Sequence, residues 1–243
     1  MDIKRKAELV IKELQRFREY PVTVLFSGGK DSLASLLLAL DAGLKYIKVL
    51  YVEVTGNTDQ KCNEYVHRIC EKLGIHDRLK HVKREDLEFF ECMKKWGIPI
   101  FNINRWCLWE FKDRLFRLHA TNLRLCGMKS TDSVRRKHIK LIERFHVVNA
   151  IVINPIWNWS TYEVLDYIKE RGVEINPCYR VYGHSGNCMF CPYHSKEKII
   201  LTMQDPYWRE KILTTLLQTP WKSRYSQQIA MRWIKYAHYK TLF

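Results

Sequence analysis

The sequence predicts an α/β fold: a doubly wound, mostly parallel sheet with a cysteine-rich segment and a helical C-terminal extension. Three observations carry this. Short apolar, β-branched runs alternate with amphipathic stretches of crossover length. Glycines stand where those helices would end. A glycine-rich turn, Ser27-Gly28-Gly29-Lys30-Asp31-Ser32, follows the first apolar run directly. Parallel sheets bind ligands at such carboxyl ends of strands.

Each element has its own signal. Ile3, Ala7, Val10, Ile11 and Leu14 recur at helical spacing and predict an N-terminal helix. Residues 22–26 read as a buried strand and 31–40 as a helix closed by Gly43. Residues 46–54 read as a second strand, and 59–73 as an amphipathic helix closed by Gly74. Residues 79–82 read as a third strand and 85–96 as a helix. From Asn104 the pattern changes: 106–119 is helical and aromatic-rich, and 122–125 leads into the polar stretch 126–137. Residues 147–153 predict another buried strand, ending at Asn154-Pro155. Ser160 and Glu163 form a capping-box pair for a helix over 161–171. Residues 176–194 read as loop and hold Cys178, Cys188 and Cys191. The expected division is a domain over 1–194, including the cysteine-rich segment 176–194, with a basic, aromatic helical extension over 195–243 packed on it.

Composition narrows the function classes. The 243 residues include 41 Lys+Arg against 26 Asp+Glu, a net charge of +15, which favours polyanionic partners such as nucleic acid. No apolar run approaches the about 20 residues of a membrane span. Charges run throughout the N-terminal segment, unlike a secretory signal, so a cytoplasmic protein without a membrane partner is expected. Eight cysteines in a reducing compartment point to metal or redox chemistry rather than a disulfide framework.

The turn at 27–32 has the makings of an anion cradle. Glycine lets backbone N–H groups approach a phosphate, and the helix start adds a partial positive charge. Lys30 supplies a point charge, and Ser27 and Ser32 supply hydroxyls. The spacing is not that of the common G-x-x-x-x-G-K-[ST] loop. Farther on, Lys129, Arg135 and Arg136 stand beside Ser130, Thr131 and Ser133, a set suited to clamping phosphate or sulfate oxygens.

The six residues resemble the S-G-G-x-D-S signature of the PP-loop, or N-type, ATP pyrophosphatases. That family binds the pyrophosphate of ATP while the α-phosphate is attacked. Three further stretches are similar to its phosphoadenosine phosphosulfate (PAPS) reductase branch. Y-V-E-V-T-G-N-T at 51–58 carries the Thr-Gly that follows the second strand. G-M-K-S-T-D-S-V-R-R at 127–136 is similar to G-x-R-x-x-E-S-x-R-R, with Lys129 for arginine and Asp132 for glutamate. N-P-I-W-N-W-S-T-Y-E-V-L-D-Y-I at 154–168 resembles N-P-L-x-x-W-T-x-x-D-V-W-x-Y-I. The resemblance spans about residues 20–195. It implies an adenine nucleotide alpha hydrolase-like fold, ATP and Mg²⁺. It also implies nucleotide contacts from Ser27, Gly28, Gly29, Lys30, Asp31, Ser32, Thr55, Gly56 and Arg136, and catalytic roles for Lys30, Asp31, Lys129 and Arg135.

The pair Cys188-x-x-Cys191, with glycine before and proline after, aims two thiolates at one point and leaves redox, zinc and iron–sulfur readings open. The resemblance implies a [4Fe–4S] cluster in which Cys107, followed by Lys112, is a third ligand. Leu108 replaces the branch's next cysteine, and Cys178 is the expected fourth ligand, with Cys126 behind it. Zinc is the alternative, with His184 and His194 as flanking donors. Cys62, Cys70 and Cys92 fall on predicted helices and read as packing residues.

Residues 195–243 contain nine Lys+Arg against three acids, interleaved with Trp208, Trp221, Tyr225, Trp233, Tyr236 and Tyr239. Such interleaving suits RNA, yet Ile229, Trp233, Tyr236 and Ala237 form the stripe of a packed helix. Two enzymatic readings follow from the resemblance. A sulfonucleotide reductase would release sulfite, but such relatives look to have lost the intact loop and carry a late nucleophilic cysteine, absent here after Cys191. A sulfurtransferase would adenylate an acceptor, tRNA or DNA, and draw on a sulfur donor or electron donor protein. A third reading is a non-enzymatic, metal-stapled nucleic-acid-binding module.

Overall fold

The computed structural model describes residues 2–101, 103–145 and 149–239. The chain forms two compact units. The first comprises Met1–Val52, Glu64–Val82 and Phe116–Asn176, and the second Glu53–Asn63, Lys83–Leu115 and Pro177–Phe243. The boundary expected at residue 194 therefore falls inside the second unit.

The first unit holds a six-stranded sheet of β1 (Val22–Leu25), β2 (Ile47–Val52), β3 (Leu79–Val82), β4 (Leu123–Leu125), β5 (Ile142–Phe145) and β6 (Ala150–Ile153). Its order is β3-β2-β1-β4-β6-β5. All pairs are parallel except the antiparallel edge pair β5–β6. Val22, Thr23 and Val24 in β1 are fully buried, so the strand reads as an apolar run without alternation. The chain winds outward from β1 through β2 and β3, then returns to β4 on the other side. The loop after β1 therefore opens at the switch point of the sheet, where such folds place ligands.

Three helices pack together in this unit: α1 (Ile3–Gln15), α2 (Lys30–Asp41) and α7 (Thr161–Glu170). Every residue of α2 from Ser32 to Ala39 is buried, which explains a leucine-rich helix without a polar face. Lys6 of α1 pairs with Glu163 of α7 at 2.6 Å, and the Tyr167 hydroxyl donates to Asp41 at 2.5 Å. The Ser160–Glu163 capping box forms as expected. The sequence did not mark β4 and β5 as strands. The expected strand over 147–153 is formed over Ala150–Ile153, and residues 147 and 148 lie outside the described residues. α3 (Gln60–Lys72) contributes residues to both units.

The second unit is helical. α4 (Phe89–Trp96) starts later than expected because the Glu88 side chain accepts from the Glu91 N–H and caps it. The stretch 106–119 consists of α5 (Trp106–Leu108), a π-helical turn (Trp109–Asp113) and α6 (Arg114–His119), of which the residues from Phe116 on belong to the first unit. The segment read as loop over 176–194 contains a short helix, α8 (Cys178–Tyr182). α9 (Lys196–Gln204) packs on α8, α10 (Pro206–Gln218) and α11 (Arg224–Tyr236), and α10 packs on α4. Ile229, Trp233 and Ala237 are buried, as the stripe predicted, while Tyr236 is half-buried. Among the described residues no helix is long and apolar enough to cross a membrane.

Candidate functional site

In the first unit the turn after β1 is held open by its own side chains. Gly28 has φ +71°, a conformation that disfavours any side chain there. The Ser32 hydroxyl is the hub: it accepts from the Ser27 N–H at 3.1 Å and donates to the Gly29 carbonyl at 2.9 Å. The Ser27 and Ser32 hydroxyls also meet at 3.1 Å. Asn176, 1% exposed, donates from Nδ2 to the Gly28 carbonyl at 3.0 Å and fixes the turn from outside. Gly29 is the N-cap of α2, so no capping side chain stands between the helix start and a ligand.

The charges form one alternating chain. Asp31 takes the Lys30 ammonium on Oδ2 at 2.8 Å and the Lys129 ammonium on Oδ1 at 2.5 Å. Lys129 also pairs with Asp132 at 2.9 Å, and Asp132 with Arg136 at 2.7 Å. The Lys129 side chain is only 2% exposed. Burial alone would raise the Asp132 carboxyl, but hydrogen bonds and charge from Lys129, with Arg136, outweigh it and hold the group below the usual carboxylate range. Gly127 makes this approach possible: a Cβ there would lie 2.5 Å from the Asp31 carbonyl carbon and 2.6 Å from the Ser32 nitrogen. Ser130 donates from its N–H to the Trp157 carbonyl at 2.8 Å, tying the 127–136 segment to the 154–159 segment. Two distant motifs thus meet on the α2 start. Arg135 is exposed and lies outside the ion-paired chain formed by Lys30, Asp31, Lys129, Asp132 and Arg136.

In the second unit Cys107, Cys188 and Cys191 line one cavity of about 100 Å³, together with Arg105, Lys112 and Tyr193. The π-helical turn, in which Phe111 is buried, carries Lys112 to 3.6 Å from the Cys188 sulfur. Charge on Cys188 raises Lys112, against burial. Burial pushes the Cys107 thiol up to about 12 and Cys191 to about 11, with Lys112 and Arg105 opposing in both. A single tetrahedral zinc would hold its sulfur ligands about 3.8 Å apart. Among the described residues no group of three or more His, Cys, Asp or Glu is placed to hold a metal ion.

Cys178, the expected fourth ligand, does not line this cavity. It is fully buried beside Asp59, Cys62 and Lys61, and its sulfur lies 2.9 Å from where a Cβ on Gly186 would stand. It packs beneath the Cys-x-x-Cys turn. Cys126 is pushed up to about 12 by burial, with Arg124 and Arg136 opposing. Cys62, Cys70 and Cys92 are buried, as packing residues should be. His184 spends both ring nitrogens, accepting from the Gly186 N–H at 3.1 Å and meeting Thr202 Oγ1 at 3.1 Å. Thr55 donates to the Arg84 carbonyl at 2.6 Å, and the Gly56 carbonyl accepts from Lys211 at 3.0 Å.

Residues 21–192 match the family described as the phosphoadenosine phosphosulfate reductase domain. The chain belongs to this family. An uncharacterized protein of Methanocaldococcus jannaschii is 30% identical over 195 residues, covering 77% of this chain and 39% of the relative. A second from the same organism is 26% identical over 202 residues, covering 78% and 46%. The chain thus spans less than half the length of these curated relatives. Among solved structures, PAPS reductase from Candida auris in a phosphate complex has 21% identity and a TM-score of 0.52, covering 73% of this chain and 89% of that one. Candida glabrata FMN adenylyltransferase with FAD and inorganic pyrophosphate has 15% identity and a TM-score of 0.51, covering 74% and 63%. Both share the adenine nucleotide alpha hydrolase-like fold with this PAPS reductase-domain chain.

Two residues of the PAPS reductase domain carry roles that spacing did not reveal. Asn57, in the Thr-Gly-Asn-Thr stretch read for nucleotide contact, braces the cysteine turn. It donates to the Phe190 carbonyl at 3.0 Å and accepts from the Phe190 N–H at 2.7 Å. Asn176, at the start of the segment read as loop, holds the 27–32 turn. The only signal was residue type: buried asparagines pair with exposed backbone groups of turns.

Proposed function

We propose that this chain is an ATP pyrophosphatase-type enzyme that adenylates an oxygen on a nucleic-acid acceptor, which sulfur then displaces. The carrying observation is the intact 27–32 loop with Lys30 and buried Lys129 both drawn to Asp31. The loop N–H groups, Lys30 and Lys129 would bind the β- and γ-phosphates and stabilise charge on the leaving pyrophosphate. Asp31 is the carboxylate suited to Mg²⁺, which neutralises pyrophosphate when bound. The acceptor oxygen attacks the α-phosphorus, the bond to the α–β bridging oxygen breaks, and the electron pair leaves with pyrophosphate. A sulfur nucleophile then expels AMP.

Cys107, Cys188 and Cys191 would hold an iron–sulfur cluster, which supplies a sulfur-handling centre when bound. The support for this reading is that the three thiols line one cavity, with zinc on the same donors as the alternative. Lys112 and Arg105 would balance thiolate charge, since Cys107 and Cys191 must lose protons to ligate. Family membership favours one alternative, reduction of a sulfonucleotide to sulfite.

The test is pyrophosphate release from α-labelled ATP under anaerobic conditions, with tRNA, with DNA and with neither. Acceptor-stimulated release is expected. Sulfite from a sulfonucleotide, without pyrophosphate from ATP, would replace this reading with the reductase.

A further inference from the structure

Residues 131–138 are all exposed, including Val134 at 89%, although the segment is tied down at both ends. At its start Ser130 is held to the Trp157 carbonyl, and the Thr131 hydroxyl donates to the Trp159 carbonyl at 3.3 Å. At its end the fully buried Asn154 donates from Nδ2 to the Lys140 carbonyl at 2.9 Å and from its N–H to the Leu141 carbonyl at 2.7 Å. Ile139 is the one buried residue between these anchors, 9% exposed. Such a loop is presented rather than loose.

Its charge is one-sided. Arg135, Arg136, Lys137 and Lys140 are exposed, with His138 among them, and no acid occurs from Ser133 to Ile142. Asp132 is already paired with Lys129 and Arg136, and Glu143 accepts from Asn154 at 3.1 Å. Arg144 on the edge strand β5 extends the exposed cations. The row also begins at the charge chain that ends on Asp31.

We propose that residues 133–144 form a polynucleotide-binding arm, which holds the sugar-phosphate backbone of the acceptor beside the phosphate loop. The ligand chemistry is a run of phosphodiesters, RNA or DNA. Short 3₁₀ turns with one exposed apolar residue lack the apolar helix face that a membrane surface would take. This inference rests on the proposed nucleic-acid acceptor.

The experiment is fluorescence anisotropy without ATP, using labelled tRNA, single-stranded DNA and duplex DNA between 50 and 200 mM salt. The comparison is between the full chain and its Lys137→Ala/Lys140→Ala variant, with Lys4→Ala/Lys12→Ala on α1 as the control. Each lost phosphate contact should flatten the log–log salt slope by about 0.7 for single strands or 0.9 for duplex. The arm variant should therefore lose about 1.5 units of slope and bind at least about tenfold more weakly at low salt, while the α1 variant stays near wild type. The probe that the wild-type chain binds most tightly at matched salt identifies RNA or DNA as the source. Unchanged slope in the arm variant, or an equal loss in the α1 variant, overturns the arm and leaves the acceptor reading standing. Failure of the wild-type chain to bind any probe overturns both. Binding only to phosphatidylserine vesicles overturns both as well. An unchanged unfolding midpoint establishes that the arm variant is folded.

Discussion

Lys129 is the residue on which the first unit's charges turn. A buried ammonium between two carboxylates is tolerated only while all partners stay, so removing it strands Asp31 and Asp132. Lys129→Met should cost about 3–5 kcal/mol in urea unfolding. It should also abolish pyrophosphate binding. The related pattern has arginine and glutamate where this chain has lysine and aspartate, a longer cation with a longer acid. Lys129→Arg should therefore be more damaging alone than combined with Asp132→Glu. Equal losses for single and double variants would refute that coupling. His184 gives an acid-side prediction. Burial pushes it down to about 4, so the unfolded chain takes up the proton first as pH falls. Its contribution is complete above the usual 6.5 and is lost as pH falls towards 4, an effect of about 3 kcal/mol. His184→Gln should narrow the gap between urea midpoints at pH 7.5 and 4.5. An unchanged gap would assign the acid sensitivity to other groups.

At the scale of elements, the cysteine turn depends on the turn segment 55–59 rather than on its own spacing. Asn57 satisfies both backbone groups of Phe190, and the Asp59 N–H donates to the Gly186 carbonyl at 2.8 Å. Asn57→Ala leaves two buried backbone groups unpaired, at about 1–3 kcal/mol each. Cys188 and Cys191 should then alkylate faster with iodoacetamide than in wild type, while Cys70, buried in the first unit, keeps its rate. The same contrast shows what was legible. The Cys-x-x-Cys pair and the glycine loop were readable because their chemistry is local. Nearness in sequence does not convey that Cys178 lies against Gly186, whose φ of +76° bends the chain over the buried sulfur. β4 is hard to read from sequence because it is three residues long with a buried Arg124 at its centre, whose guanidinium donates to the Thr121 carbonyl at 2.9 Å. α8 escaped notice because proline and glycine bracket five residues. The π-helical turn has no sequence signature, since its spacing is set by the Trp106 and Phe111 anchors.

For the whole molecule, a net charge of +15 means that any bound anion relieves self-repulsion as well as filling a site. The two effects separate under linkage. A ligand that binds only the folded chain stabilises it by RT ln(1 + [L]/Kd), about 2.7 kcal/mol at 100 Kd. For a chain of this length that corresponds to a rise of about 5–11 °C in Tm. Pyrophosphate with Mg²⁺ should produce such a rise, and sulfate at matched ionic strength should produce only the small part due to screening. Lys30→Ala removes one charge of the surplus, which hardly alters general repulsion, but it removes the ammonium from the loop. The pyrophosphate shift should therefore collapse in Lys30→Ala to the sulfate value, while the ligand-free midpoint moves little because Lys30 is a partly exposed partner of Asp31. If the variant keeps the full pyrophosphate shift, the stabilisation comes from bulk charge and the loop is not the phosphate site.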